Sequence, residues 1–474
     1  MTTAIWWIRR DLRLRDNQAL QSALAFANSV LPVFIIDPKL LNSPFNSQKR
    51  LNFLYKGLFE LDKQLIERGS ELVLRIGNPV VELGKLADEI NAQIIFAEPD
   101  FSPFALNRDK QVEATFDIHW CGSPAILPPG SVLKPDGNPY TIFTPFSKVW
   151  RSVVSLSPGI KFQEPQKIPT PSNVRSIKNL PMFENLPSIS YQPGEIEANR
   201  ILSQFIGTDR IDQSSRHGIF EYSDNRDRLD RDSTSHLSSY LRFGMLSARA
   251  AASAALEAIS QAPDEHSKKG AQSWLNELIW RDFYIHILYH FPFVRQGNFR
   301  LPDVRWENNV NRFNAWKAGC TGYPVVDAAM RQLQQSGWMH NRARMIVSSF
   351  LTKDLLIDWQ WGEKWFMQNL IDGDPASNNG GWQWSAGTGT DAAPYFRIFN
   401  PISQSKKHDP HGSYIRRWIP ELADIPDDFI HQPWIMPEDM QRSSGVLIGK
   451  TYPAPIVDHL QAKQRALRAY RHNG

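Results

Sequence analysis

The segment AQSWLNELIWRDFYIHILYHF at 271–291 sets Trp274, Glu277, Trp280, Arg281 and Tyr284 three or four residues apart. On a helix that spacing puts all five on one face. Aromatic, carboxylate and guanidinium groups on one stripe suit a flat ligand with polar edges, meaning a flavin, a nucleobase or both. The plain alternative is a partly exposed face with a Glu277–Arg281 pair worth roughly a few tenths of a kcal/mol. In WMHNRARMIVSSF, Asn341, Arg344 and Met345 share a second helical face. Asn can read a base edge with donor and acceptor together. Met adapts to irregular flat surfaces. Arg342 and Arg344 suit phosphate or carboxylate. The dull alternative makes Asn341 a satisfied amide near a helix cap.

LIDGDPASNNGGWQWSAGTGTD contains Asp372-Gly373-Asp374, which looks like a D-x-D metal site holding Mg²⁺ and a diphosphate. The sequence lacks further carboxylates nearby. Arg344 could instead neutralise Asp374, with Asp372 accepting from ribose or flavin N–H groups. Asn378-Asn379-Gly380-Gly381 reads as a turn or helix-cap signal. Trp382 and Trp384 point apart on either a strand or a helix, so they cannot share one job. In DRLDRDSTSHLSSYLRFG, Thr234, Ser235 and Ser238 cluster hydroxyls just before a helix. That is one way to bind a phosphate without a P-loop; simple N-capping uses the same residues. Arg226, Arg228 and Arg231 would add positive charge there. H-E-x-x-H, G-x-S-x-G and the P-loop are all absent, which sets hydrolases and metalloproteases aside. The metal and nucleophile templates are poorly met.

The elements that must position these groups fall in two styles. In the first third, short apolar runs at Ala4–Ile8, Val30–Ile36, Glu71–Ile76 and Ala92–Ala97 alternate with helical patterns such as Gln48–Arg68 and Val80–Asn91. That alternation predicts βαβ units and a parallel sheet, Rossmann-like but without G-x-G-x-x-G. IRRDLRLRDN follows the first strand as a loop of four Arg and two Asp. Residues 155–195 are rich in Pro and Ser and read as a linker. From about 196 onward the pattern is helical, with apolar residues at three- and four-residue spacing in Glu195–Phe205, Ser247–Ile259, Ala271–Phe291, Tyr323–Ser336, Asn341–Lys353 and Glu363–Leu370. Breaks are expected at 303–305, at Gly319–Gly322 and at Ser336-Gly337. The fold class is therefore an α/β N-terminal domain followed by a larger all-α C-terminal domain.

Composition agrees with an ordinary globular chain. There are 474 residues, 42% hydrophobic and 22% charged, with a net charge of +4. A mild excess of that size does not by itself require a polyanion. Ten of the 16 Trp lie between 274 and 384. Most belong to a core on the bland reading, yet so many indoles in one helical domain also suit stacking or electron transfer. Cys121 and Cys320 are far apart, so neither a disulfide framework nor a Cys-rich zinc site is expected. The apolar run at Ala4–Ile8 is too short for a signal segment or a membrane span, which predicts a cytoplasmic protein.

RRDLRLRDN at 9–17, FTPFSKVW at 143–150 and, above all, TGYPVVDAAMRQL, GWMHNRARMIVSSFLTKDLLIDW, FMQNLIDGD and NNGGWQWSAGTGTDAAPYFRIFNP between 321 and 401 resemble the photolyase/cryptochrome family over nearly the whole chain. The chain looks most like a class I cyclobutane pyrimidine dimer (CPD) photolyase. The resemblance implies an antenna-binding domain at 1–130, a linker at 131–195 and a helical FAD- and DNA-binding domain at 196–474. Carried over by motif, the FAD contacts are Tyr222, Thr234, Ser235, Leu237, Ser238, Trp274, Arg281, Asn341, Arg344, Asp372, Asp374 and Asn378. This displaces the metal reading of the two aspartates. The implied lesion contacts are Glu277, Trp280, Asn341, Met345 and Trp384, with catalytic roles for Glu277, Asn341 and Asn378. The implied reaction is light-driven: excited FADH⁻ donates an electron to a dimer flipped out of UV-damaged DNA, the ring splits, and the electron returns.

Trp382, Trp359 and Trp306 match the family's photoreduction chain, in order from flavin to surface. Arg226, Arg342, Arg397, Lys406 and Lys407 are candidates for a phosphate-facing rim. The (6-4) enzymes carry His where this chain has Asn341 and Met345, which favours CPD repair. Asn378 is the photolyase choice at the flavin N5 position, where plant cryptochromes resemble Asp and animal ones Cys. Few residues follow Tyr470, so no signalling tail is expected. Pro375 departs from the aliphatic residue typical of that place. For the antenna, PDFSPFALNR lacks the Glu of folate-binding members, while Arg10, Asp37 and Asp100 give partial support to a deazaflavin. The alternatives are 8-hydroxy-deazaflavin, methenyltetrahydrofolate, a flavin or none. The protein is expected to act as a monomer without a membrane. The rival reading is a cryptochrome-like photoreceptor.

Overall fold

The computed structural model describes residues 2–155, 162–172, 174–177, 183–207, 218–300, 304–394 and 396–471. These form two compact units: unit 1 is 1–223, 234–292 and 371–376, and unit 2 is 224–233, 293–370 and 377–474.

Unit 1 is built on five parallel strands: β1 Thr3–Ile8, β2 Ser29–Ile36, β3 Val73–Ile76, β4 Ile94–Ala97 and β5 Ile118–Trp120. Their order is β3-β2-β1-β4-β5. Trp7 pairs with Val33 on one side of β1, and Ile5 with Ile95 on the other. Because β1 is central, nearly every residue of TAIWWI is buried. That is the continuous apolar run a parallel strand requires. Pro32 sits in β2 without breaking the sheet, since pairing with β3 begins only at Val33.

The helices of unit 1 with six or more residues are α1 Gln18–Phe26, α2 Gln48–Ile66, α3 Pro79–Ile90, α4 Pro103–Glu113, α5 Phe143–Val153, α6 Glu195–Ile206, α7 Ser238–Phe243, α8 Ala248–Gln261 and α9 Glu265–His290. Six of these starts carry a sequence-legible cap: Asn17, Ser47, Asn78, Ser102, Ser247 and Asp264 each accept from an amide of the first turn.

Unit 2 is helical, with α10 Val310–Ala318, α11 Pro324–Ser336, α12 Asn341–Ser349, α13 Trp359–Asn369, α15 Pro401–His408, α16 Ser413–Trp418, α17 Glu438–Ser443 and α18 His459–Arg471; α14 is Pro375–Ala386. Its core gathers Trp316, Trp359, Phe366 and Trp382 with the aliphatic faces of α11 and α12.

The α/β-then-helical reading holds, with corrections of detail. Helices α1, α4 and α5 and strand β5 are additional to the sequence reading, α5 lying inside the span 131–195 expected as a linker. β5 has only three residues, none of them buried, so no apolar run marked it. The expected helix to Lys353 is α-helical only to Ser349, and Phe350–Asp354 winds as a π-helix. The expected helix at Glu363 begins four residues earlier, where Asp358 caps the amide of Gln360. The span 155–195, read as a linker, includes 156–161, 173 and 178–182, which lie outside the described residues, as do 301–303 at the expected break.

Candidate functional site

In unit 1 the loop after β1 supplies the charges. Arg10 donates to Asp374 at 2.7 Å and meets Asp100 at 3.5 Å. Asp374 also lies 3.9 Å from Arg242 and accepts from the Ala376 amide at 2.9 Å. Burial pushes the Asp100 carboxyl up, but Arg10, the Ser102 amide and Arg9 outweigh it and hold it at about 2. Burial and the neighbouring Arg10 lower Arg242 to about 9. The C-terminal end of α7 rests on the same loop: Leu12 N–H donates to the Phe243 carbonyl at 3.1 Å, and Arg10 Nε to the Arg242 carbonyl at 3.2 Å. Gly244 allows this approach. It has φ +63°, and a β-carbon there would stand 1.8 Å from the Arg10 oxygen. Arg10 and Asp100, offered by the sequence for a deazaflavin, are thus engaged with each other.

Pro375 opens α14 with Asp374 as its cap. Proline suits a first helical position because its missing N–H has no intrahelical partner to lose. The same start corrects the turn reading of Asn378–Gly381, since all four residues lie inside the helix. A capped proline start, followed by packing, outweighs the helix penalty of two glycines.

The stripe on α9 divides by burial. Trp274 is 3% exposed and packs on Phe205, which also meets Tyr222. Arg281 donates to the carbonyls of Pro124 at 2.5 Å and Leu241 at 3.1 Å, so it ties α9 to α7. Glu277 and Trp280 are only partly buried. Trp280 lies parallel to Phe143, with centroids 3.7 Å apart.

The Ser/Thr cluster does not cap α7. The residue before the helix is Leu237, and it makes no side-chain cap. Among the described residues, Thr234, Ser235 and Ser238 have no hydrogen-bonding partner for their hydroxyls. Idle hydroxyls at a helix start fit the phosphate group of a dinucleotide.

Unit 2 holds the remaining candidates. Arg228 pairs with Asp230, and Arg231 donates to Asn225 at 2.7 Å, so both are committed inside their own loop. Arg342 donates to Asp227 at 2.5 Å. Burial raises the Asp227 carboxyl, but Arg342 outweighs it and keeps it below the ordinary range. The cap of α12 is His340, whose Nδ1 accepts from the Arg342 amide at 3.1 Å. Asn341 is therefore the first helical residue, directly after the cap. It is exposed, with its Nδ2 at 4.0 Å from the Met345 sulfur. Arg344 Nε donates to the Met339 carbonyl. Arg397, Lys406 and Lys407 are exposed. The two lysines also suit the last turn of α15 through its dipole.

Asn378 donates Nδ2 to the Glu363 carbonyl at 3.0 Å. Its side-chain oxygen takes no donor among the described residues, which fits an acceptor kept for a ligand N–H.

Trp382 is 2% exposed and edge-on to Phe366 and Trp316, with centroids 4.9 and 6.1 Å away. Its Nε1 has no partner among the described residues. Gly362 lies against it: a β-carbon there would fall 2.1 Å from Trp382 Cη2. Trp359 is 1% exposed and donates Nε1 to Asn298 at 2.8 Å. Trp306 is partly buried at the edge of this core, 6.1 Å from the Tyr470 ring. Trp384 is partly exposed. Sequence reasoning missed Trp316, Gly362 and Tyr470. A tryptophan in an apolar helix or a glycine inside one carries no mark of its partner.

Two family models match: the FAD binding domain of DNA photolyase over residues 274–472, and DNA photolyase over residues 4–171. A deoxyribodipyrimidine photo-lyase of Vibrio cholerae is 39% identical, covering 98% of this chain and 98% of its own. Among solved structures, a class III photolyase from Agrobacterium tumefaciens matches with TM-score 0.89 and 36% identity, over 99% of this chain and 97% of its own. A Synechocystis cryptochrome matches with TM-score 0.89 and 29% identity, over 99% of each chain. An archaeal photolyase from Sulfolobus tokodaii, solved with two FAD molecules, matches with TM-score 0.79 and 31% identity, over 99% of this chain and 100% of its own. With both family models matched and a relative this similar end to end, the chain belongs to the DNA photolyase family, with its FAD-binding domain.

Proposed function

We propose that this enzyme splits cyclobutane pyrimidine dimers in DNA under blue light. The observation that carries the lesion class is the side-by-side Asn341 and Met345 on one turn of α12. Asn341 offers an amide to a pyrimidine edge, and Met345 a polarizable apolar surface. When bound, FAD supplies a light-excitable one-electron donor. In unit 1 its contacts fall to Tyr222, Thr234, Ser235, Leu237, Ser238, Trp274, Arg281, Asp372 and Asp374. In unit 2 they fall to Asn341, Arg344 and Asn378. Idle hydroxyls before α7 and the single-sided engagement of Asn378 support that assignment.

Glu277 accepts a pyrimidine N3–H when ionised, or donates to a carbonyl when protonated. Trp280 and Trp384 each offer a stacking face, worth about 1–3 kcal/mol per base. Extruding the dimer costs a few kcal/mol, least where the damaged pair already stacks poorly. Trp306, Trp359 and Trp382 relay an electron inward from the surface, in line with exposure falling from the first to the other two. Arg226, Arg342, Arg397, Lys406 and Lys407 meet phosphates. Each such contact adds about 0.9 to the slope of log affinity against log salt.

The functional division into 1–130, 131–195 and 196–474, a cytoplasmic setting and a monomeric state belong to the same reading. Among the described residues no helix is long and apolar enough to cross a membrane. A second chromophore of deazaflavin, folate or flavin type is an option that the spectrum of the acid-released cofactors decides.

The test is repair of a single-stranded oligonucleotide carrying one thymine dimer, under reducing conditions, in blue light and in the dark. Repair in light alone is the expected result. No repair by an FAD-loaded protein would overturn the reading in favour of a photoreceptor or another lesion.

A further inference from the structure

The motif FTPFSKVW at 143–150 has no role in the function proposed above. It begins α5, where Phe143, Phe146 and Trp150 stand at i, i+3 and i+7 on one face. The last two are sunk, with Phe146 2% and Trp150 0% exposed. Trp150 donates its indole N–H to Asp282 at 2.9 Å. The same carboxylate accepts the amides of Ile126 and Leu127 at 3.0 and 3.1 Å. Phe146 packs against Phe283 and His286, with centroids 5.2 and 5.1 Å away. These contacts clamp α5 to α9 and bring its first residue to Trp280.

There the Phe143 and Trp280 rings are parallel within 4°, with centroids 3.7 Å apart. Phe283 meets both rings edge-on, at 5.9 and 5.6 Å. One face of the Trp280 indole is therefore occupied within the protein, yet both rings keep some exposure. Two free aromatic rings prefer offset or edge-on geometry to a near-cofacial pair. The clamp on α5 imposes the arrangement.

We infer that Phe143 is a positioning residue for the lesion: it backs Trp280, so that the indole offers one fixed face to a flipped-out pyrimidine. The inference rests on the proposed stacking role of Trp280. A ring already held in place loses no rotamer freedom when a base lands on it, so backing should tighten binding.

The test uses the FAD-loaded enzyme, an oligonucleotide with one thymine dimer and its undamaged twin. Phe143→Ala and the bulk-retaining Phe143→Leu should weaken dimer binding about two- to twelvefold, the range expected for one aromatic pair. The loss should appear in KM more than in kcat. Binding of the undamaged twin should not change, and Phe143→Tyr should bind like the parent. In a Trp280→Ala background, Phe143→Ala should add nothing. Parental dimer binding by Phe143→Leu, beside weak binding by Trp280→Ala, would overturn the inference and leave the stacking reading intact. Parental binding by Trp280→Ala would overturn both. Weakened binding of both oligonucleotides, or failure of Phe143→Tyr to restore, would make Phe143 a structural residue only and overturn the inference.

Discussion

In unit 1 the guanidinium of Arg10 meets two carboxylates, Asp374 and Asp100. In unit 2 the ammonium of Lys353, 1% exposed, meets a ring: its Nζ lies 3.5 Å from the centre of Tyr470. It donates to the Ala386 carbonyl, which the Tyr470 hydroxyl also uses. The adjacent Asp354 goes to His459 at 2.6 Å. Unit 1 places Asp374 with ion pairs, which fix direction and are expensive to break singly. Unit 2 places its indoles by shape, where a ring of similar size can stand in.

Trp382→Phe gives the sharpest contrast. It should abolish photoreduction of oxidised FAD while sparing repair by pre-reduced enzyme. Transient absorption reads the first, and unchanged photoreduction would remove Trp382 from the relay. Asp374→Ala should leave Arg10 and Arg242 without their shared partner and remove a proposed FAD contact as well. The expected loss is about 3–5 kcal/mol in urea unfolding, and Asp374→Asn, which keeps the Ala376 cap, should lose less. A loss as small as that of a surface pair would end the distinction between the units.

Proton linkage offers a subtler test. Burial pushes the Glu195 carboxyl up to about 7, despite the Leu14 and Arg15 amides it accepts. A carboxyl raised from 4.5 gives stability below that value, and loses it as pH climbs through 7. Burial lowers Lys353 from 10.5 to about 7, so its contribution grows as pH rises from 7 toward 10.5. Glu195→Gln should flatten the stability profile between pH 4.5 and 7, and Lys353→Met between 7 and 10.5. Parallel profiles for parent and variants would show that neither burial is felt. The smallest effect is Asn298→Ala, which removes the acceptor of the Trp359 N–H and should cost about 1 kcal/mol.

The sheet, the long helices and the stripe on α9 were legible because burial imprints a period on the chain. The contiguous motifs also announced the family. Pairing left no such mark. Asp374 and Arg10 lie 364 residues apart, and nothing near either names the other. Asn378–Gly381 misled because glycine weakens a helix locally, while the cap that starts α14 stands four residues upstream. His340 as a cap was hidden because histidine is an uncommon choice there. Gly362 carried no mark in the sequence, and its missing side chain is the space that Trp382 fills.

That last contact bears on temperature. Trp382 lies against the main chain of α13 at Gly362 as well as the rings of Phe366 and Trp316. Mild heating frees rotamers at looser sites but finds no second well for an indole held against backbone. The ring's place should hardly drift on warming. Electron relay through it should then vary little with temperature until unit 2 melts, and fail abruptly there.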